Sequence, residues 1–221
     1  MNDTSNYLVT APDIMGPWSE PVHLFNSGFD PSLLHDADGR KWLMWVAWDY
    51  RGRLPRQSMK LSLRQGLRNI LKSWNEGLNT FKGIMLQEYS PSLKRLIGEP
   101  CMIFRGTQLG VTEGPHIYLH GGYYYLMVAE GGTGQNHAVT LARSKDIKGP
   151  YAVHPENPVL TSRGNPDLEL HKAGHASLVE TQKGEWYLAH LCGRSVKGTR
   201  HYRCTLGRET ALQKVVWGAD G

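Results

Sequence analysis

Three stretches of this chain repeat one pattern. Phe29-Asp30-Pro31-Ser32-Leu33 precedes Gly39 and then Trp42-Leu43-Met44. Thr112-Glu113-Gly114-Pro115-His116-Ile117 precedes Gly122 and then Tyr123 to Met127. Gly174-His175-Ala176-Ser177-Leu178 precedes Gly184 and then Trp186-Tyr187-Leu188. In each, one polar residue stands nine positions before the glycine: Asp30, Glu113 and His175. Each glycine separates two apolar, aromatic-rich runs, which reads as strand, turn, strand. A second pattern recurs as well, since Asp13-Ile14-Met15-Gly16-Pro17-Trp18 matches Asp146-Ile147-Lys148-Gly149-Pro150-Tyr151. Each copy carries a Gly-Pro turn signal. The main repeats start 62 residues apart between Glu113 and His175, and 83 apart between Asp30 and Glu113. The excess of 21 is close to the length of a basic stretch that runs from Arg51 to Lys72. A long all-β repeat with a period near 62 and no helical periodicity predicts a β-propeller. A β-sandwich is the runner-up, but it does not explain equivalent positions recurring in separate four-strand units.

The charge of the chain is local. Seven of its basic residues, Arg51, Arg53, Arg56, Lys60, Arg64, Arg68 and Lys72, fall in residues 51–75 with no acid among them. The net charge is +5, so the remainder carries −2. The basicity therefore belongs to an insert over 51–80, placed between strands of one blade. This argues against a nucleic-acid-binding fold. Leu63, Leu67, Ile70, Leu71, Trp74 and Leu78 have helical spacing in that insert. It is expected to be a helix or an irregular excursion outside the blades. The chain has no apolar run of about 18 residues, so no membrane span is expected. No basic start and apolar core mark a secretory signal at the N-terminus, and a cytoplasmic protein is expected. Three cysteines, Cys101, Cys192 and Cys204, form no C-x-x-C pair, which fits reduced thiols rather than a disulfide framework.

The innermost strands of a propeller run beside its axis, so residues at equivalent inner-strand positions converge. The repeat therefore predicts that Asp30, Glu113 and His175 surround one central pocket. Two carboxylates facing a pocket in a chain with seven Trp and ten Tyr point to glycoside hydrolysis. Taken singly, Asp30-Pro31 and Glu113-Gly114-Pro115 also read as turn-initiating residues. A histidine on an inner strand is more often packed and hydrogen-bonded than a metal ligand.

Four ordered strings extend this reading: Gly28-Phe29-Asp30-Pro31-Ser32-Leu33; Glu113-Gly114-Pro115-His116 with Ala129-Glu130-Gly131-Gly132-Thr133-Gly134; Gly174 to Thr181; and Leu206-Gly207-Arg208-Glu209-Thr210-Ala211. They resemble glycoside hydrolase family 43, and its β-xylosidase branch in particular. The resemblance spans nearly the whole chain outside 51–80. It implies a five-bladed β-propeller and an inverting mechanism. It puts the general acid at Glu113 and the carboxylate that orients and tunes it at Asp30. Burial and the neighbouring carboxylate are expected to raise the pKa of Glu113. The resemblance also puts a sugar-contacting guanidinium at Arg208, and pocket-lining positions at Thr133 and Trp48. Arg208 read alone is equally a structural ion pair near Glu209, and Trp48 equally a core residue. His175 matches a central histidine that in some members sits by a calcium ion or its waters, so a structural calcium is allowed for and no other cofactor is required.

Two departures qualify the activity. The family's general base is an Asp on the first blade, and no residue in 1–28 matches it. The chain also stops soon after the last strand-like run. It is expected to be a partial propeller, 1–221, with its first blade largely missing. The expected function is release of xylose from the non-reducing end of xylo-oligosaccharides. The alternatives are an α-L-arabinofuranosidase acting on arabinose-containing oligosaccharides, and a carbohydrate-binding propeller without catalysis.

Overall fold

The computed structural model describes residues 4–48, 81–196, 199 and 203–219. The expected helix or excursion over 51–80 lies outside the described residues. Those residues form fourteen β-strands and no helix. The strands build four antiparallel sheets. The first is a two-stranded pair of β1 (Asn6–Leu8) and β2 (Val22–Phe25). The second runs in chain order through β3 (Phe29–His35), β4 (Lys41–Trp48), β5 (Phe81–Ser90) and β6 (Arg95–Phe104). The third holds β7 (Glu113–His120), β8 (Tyr123–Glu130), β9 (Ala138–Ser144) and β10 (Ala152–Val153), with β11 (Leu160–Thr161) also paired to β9. The last contains β12 (Leu170–Glu180), β13 (Trp186–Arg194) and β14 (Glu209–Val215).

Such meanders follow from short turns between apolar runs. The hairpins close at His35↔Lys41, His120↔Tyr123 and Glu180↔Trp186, with Gly39, Gly122 and Gly184 inside their turns. All three glycines have φ between 74° and 88°, a region that other residues visit at a cost. The second sequence repeat also folds alike in both copies. Gly16 N–H donates to Asp13 O, and Gly149 N–H to Asp146 O, both at 2.9 Å. The aspartate side chain of each accepts from a backbone N–H two residues on, Met15 at 2.9 Å and Lys148 at 2.8 Å.

Sheets are packed face to face, so strands inside the stack bury both faces. This is why Trp42 to Val46 of β4 are all buried and show no alternation. One core, with Met44, Val46, Ile84, Leu86, Leu126 and Val128, lies between the second and third sheets. A smaller one, Met127, Val139, Ala176 and Leu188, joins the third to the last. Burying each such aliphatic side chain contributes about 1.5–3 kcal/mol relative to leaving it in water. The first strands of the three larger sheets are neighbours in space, β3 against β7 and β7 against β12. Hydrogen bonds stitch them together there. The Ser32 hydroxyl donates to the Pro115 carbonyl, and Leu178 N–H donates to the Tyr118 hydroxyl at 2.9 Å.

The register corrects one detail of the sequence reading. Phe29 pairs Val46, Glu113 pairs Ala129 and Gly174 pairs Leu191, and in each strand the pairing breaks immediately afterwards. The residue after each break is left-handed: Asp30 at φ 51°, Gly114 at 58°, His175 at 43°. Glu113 therefore stands one place earlier than Asp30 and His175. The nine-residue count concealed this because the β7–β8 turn is only Gly121-Gly122, shorter than the other two.

Candidate active site

Each bulge aims one inner-strand side chain at the place where β3, β7 and β12 meet. Asp30 Oδ2 accepts the Gly114 N–H at 3.0 Å, so the β3 carboxylate is fixed directly against the residue that follows Glu113. The Glu113 carboxylate lies 3.7 Å from His175 Nδ1, with both side chains largely buried. Gly114 makes this approach feasible, because a Cβ there would stand 2.5 Å from His175 Nε2. The structure thus brings Asp30, Glu113 and His175 together.

The charges of the three are interdependent. The His175 imidazole holds the Glu113 carboxyl below its ordinary range, against desolvation that pushes it up, with His137 and Arg208 adding to the lowering. This reverses the expected upward shift, because the imidazole contact outweighs burial. Burial raises Asp30, partly offset by the Gly114 N–H and by His175. Glu113 raises His175 in turn. The depressed Glu113 contributes stability above its ordinary pKa of 4.5, lost as pH falls through the lowered value. The raised His175 contributes below its ordinary 6.5, lost as pH rises through the raised value. Both contributions coexist in full only between 4.5 and 6.5. Replacing His175 by Asn, which tolerates a left-handed backbone, is expected to raise the Glu113 pKa. Carbon-detected NMR titration of a glutamate-labelled protein checks this. An unmoved midpoint would assign the lowering to His137 and Arg208 instead.

The remaining expected site residues lie around this centre. Arg208 is close enough to act on Glu113, His137 and His175, and shares the lining of a cavity with Thr133. It is not the ion-pair partner of Glu209, whose carboxylate takes Arg194. Trp48 sits at the margin of the core, its ring 5.7 Å from that of Phe29, the residue before Asp30.

Two residues were not singled out from sequence. His137 is buried beside the centre, with Nδ1 bonded to the Lys172 carbonyl at 2.9 Å and Nε2 lacking a hydrogen-bond partner. Its available signal was a lone histidine between a glycine-rich loop and an apolar strand. Glu130 is completely buried at the end of β8. Its carboxylate accepts four hydrogen bonds: Thr107 N–H at 2.7 Å, Thr107 Oγ1 at 2.6 Å, Thr112 Oγ1 at 2.8 Å and Thr140 Oγ1 at 2.6 Å. It thereby anchors Thr112, the residue before Glu113. A carboxylate closing a run as apolar as Tyr123 to Ala129 was the signal that could have marked it.

Donor atoms of Glu113, His137 and His175 lie within 4.8 Å of one another. Two imidazoles and one carboxylate do not fit calcium as direct ligands, since calcium takes six to eight oxygens.

Glycoside hydrolases act through Asp and Glu carboxylates gathered at one pocket. The chain belongs to glycosyl hydrolases family 43, whose family model matches residues 1–221. It is 48% identical over 218 residues to xylosidase/arabinosidase 43B of Humicola insolens, covering 99% of this chain and 36% of that protein. It is 49% identical over 222 residues to the β-xylosidase of Bacillus subtilis (strain 168), covering 97% and 37%. Among solved structures, the xylan β-1,4-xylosidase of Bacillus halodurans C-125 superimposes with a TM-score of 0.81 at 54% identity, covering 99% of this chain and 37% of that one. The chain thus spans little more than a third of the length of these relatives.

Proposed function

We propose that this chain carries the acid-catalyst side of an inverting glycosidase that releases xylose from the non-reducing end of xylo-oligosaccharides. The observation that carries this reading is the Gly114 N–H bond to Asp30, which locks one carboxylate beside the other at the convergence of three first strands. In this reading the sheets are blades of a five-bladed propeller, and the pocket lies on its axis.

Glu113 is the general acid and Asp30 orients it. The contact between Glu113 and His175 favours the ionised Glu113 carboxylate and the His175 imidazolium as an ion pair. A sugar that excludes water makes that ion pair costly. The proton then returns to Glu113, which delivers it to the departing glycosidic oxygen. Arg208 and Thr133 hold sugar hydroxyls, and Trp48 packs against Phe29, the residue before Asp30. The water-activating carboxylate is assigned to none of the described residues.

A second substrate, an α-L-arabinofuranoside, is favoured by the names of two relatives. One is the Humicola insolens protein and the other is a Bacteroides ovatus non-reducing end α-L-arabinofuranosidase, 34% identical over 215 residues. Proton NMR of xylobiose hydrolysis by a protein carrying this chain tests the main reading. Inversion delivers α-xylose first, before mutarotation. Initial β-xylose would overturn the mechanism, and intact xylobiose beside release of arabinose from an arabinofuranosyl-substituted xylo-oligosaccharide would move the substrate to the second reading.

A further inference from the structure

Beside the centre, a second cavity of about 230 Å³ opens between the loop before β9 and the loop between β11 and β12. Gln135, Asn136, Ser162, Arg163, Asn165, His171 and Lys172 supply its polar lining, and among the described residues no carboxylate lines it. It adjoins the site in two ways. Lys172 also lines the cavity that holds Thr133 and Arg208. Its carbonyl holds the His137 ring, and Gln135 and Asn136 lead directly into His137. A chain of sugars leaving the axial pocket past Lys172 would therefore arrive here.

The lining specifies a ligand. Neutral pentose units need donors and acceptors in balance and often an aromatic face. This cavity offers two cations, amides and an imidazole, and among the described residues no ring of Phe, Tyr or Trp lines it. A guanidinium recognises a carboxylate by paired, charge-assisted hydrogen bonds, and the amides suit the hydroxyls around it. We infer that this cavity is a subsite for a carboxylate-bearing sugar, a uronic acid, on the leaving-group side of the oligosaccharide. The inference rests on the proposed function and names the substrate class more narrowly.

Calorimetric titration of the protein with xylotriose, with xylotriose bearing one glucuronic acid branch, with glucuronate and with inorganic phosphate tests it. The acidic oligosaccharide is expected to bind about tenfold more tightly than the neutral one at low salt. That advantage should shrink as salt rises. It should largely vanish in Arg163→Gln, whose unchanged thermal unfolding midpoint reports an intact fold. Equal binding of the acidic and neutral oligosaccharides overturns the subsite and leaves the proposed function standing. Binding of glucuronate or phosphate as tight as that of the acidic oligosaccharide shows a simple anion site, and also overturns it. Binding of neither oligosaccharide overturns the proposed function, and the subsite with it.

Discussion

Glu113→Gln is expected to lower turnover of xylobiose by about 10²–10⁴-fold, the usual worth of a general acid. The same change should cost far less on an aryl xyloside with a good leaving group. The substituted amide would keep the size of the side chain and its place at the bulge, but would carry no transferable proton. A nitrophenolate leaves without one, whereas a sugar alkoxide does not. Steady-state rates on the two substrates, measured side by side, separate the proton's role from mere misplacement of the substrate. Equal losses on both would mean that Glu113 positions the sugar, and that the acid is another residue.

The second large effect concerns folding. Glu130→Ala removes an acceptor that serves four donors, three of them threonine hydroxyls. Thr112 and Thr140 are buried, so their hydroxyls have no water to turn to. Each orphaned donor costs about 1–3 kcal/mol, and a total above about 3 kcal/mol is expected. Glu130→Gln should be much milder. Its oxygen can stand at Oε1, facing the Thr107 N–H and the Thr112 hydroxyl. Its amide can stand at Oε2, where the Thr107 and Thr140 hydroxyls turn to accept. Urea unfolding of the two variants checks the ranking. Similar losses would show that the charge matters there rather than the number of acceptors.

The fold class was legible because it rests on a local signal repeated along the chain. A glycine between two aromatic-rich runs marks a hairpin wherever it occurs, and three such hairpins with one spacing point to one kind of sheet. The gathering of Asp30, Glu113 and His175 was legible for the same reason. The one-residue offset of Glu113 was not, because spacing along a strand cannot separate a bulge from a longer turn. The direction of the Glu113 proton equilibrium was also hidden. It depends on a 3.7 Å contact between different sheets, and sequence shows only that a histidine recurs at a related place. His137 and Glu130 were missed because neither belongs to the repeat. His137 reaches the centre from a loop, and Glu130 works from behind the strand that carries the acid. Trp48 was readable as core or as pocket, and its ring packs against Phe29 at the core margin.

The left-handed bulges at Asp30, Gly114 and His175 also limit how this site can change over evolutionary time. Side chains other than Gly, Asn, Asp and His rarely accept that backbone conformation, and β-branched ones hardly at all. Most substitutions at these positions thus cost conformational energy before any chemistry is considered. Gly114 is further confined by the neighbouring ring. New sugar preferences are therefore easier to reach through loops such as 131–136 and 162–166, where side chains can be exchanged without touching the three bulges. The three bulges are thus the costliest backbone positions of the site to exchange, and the rim loops the cheapest.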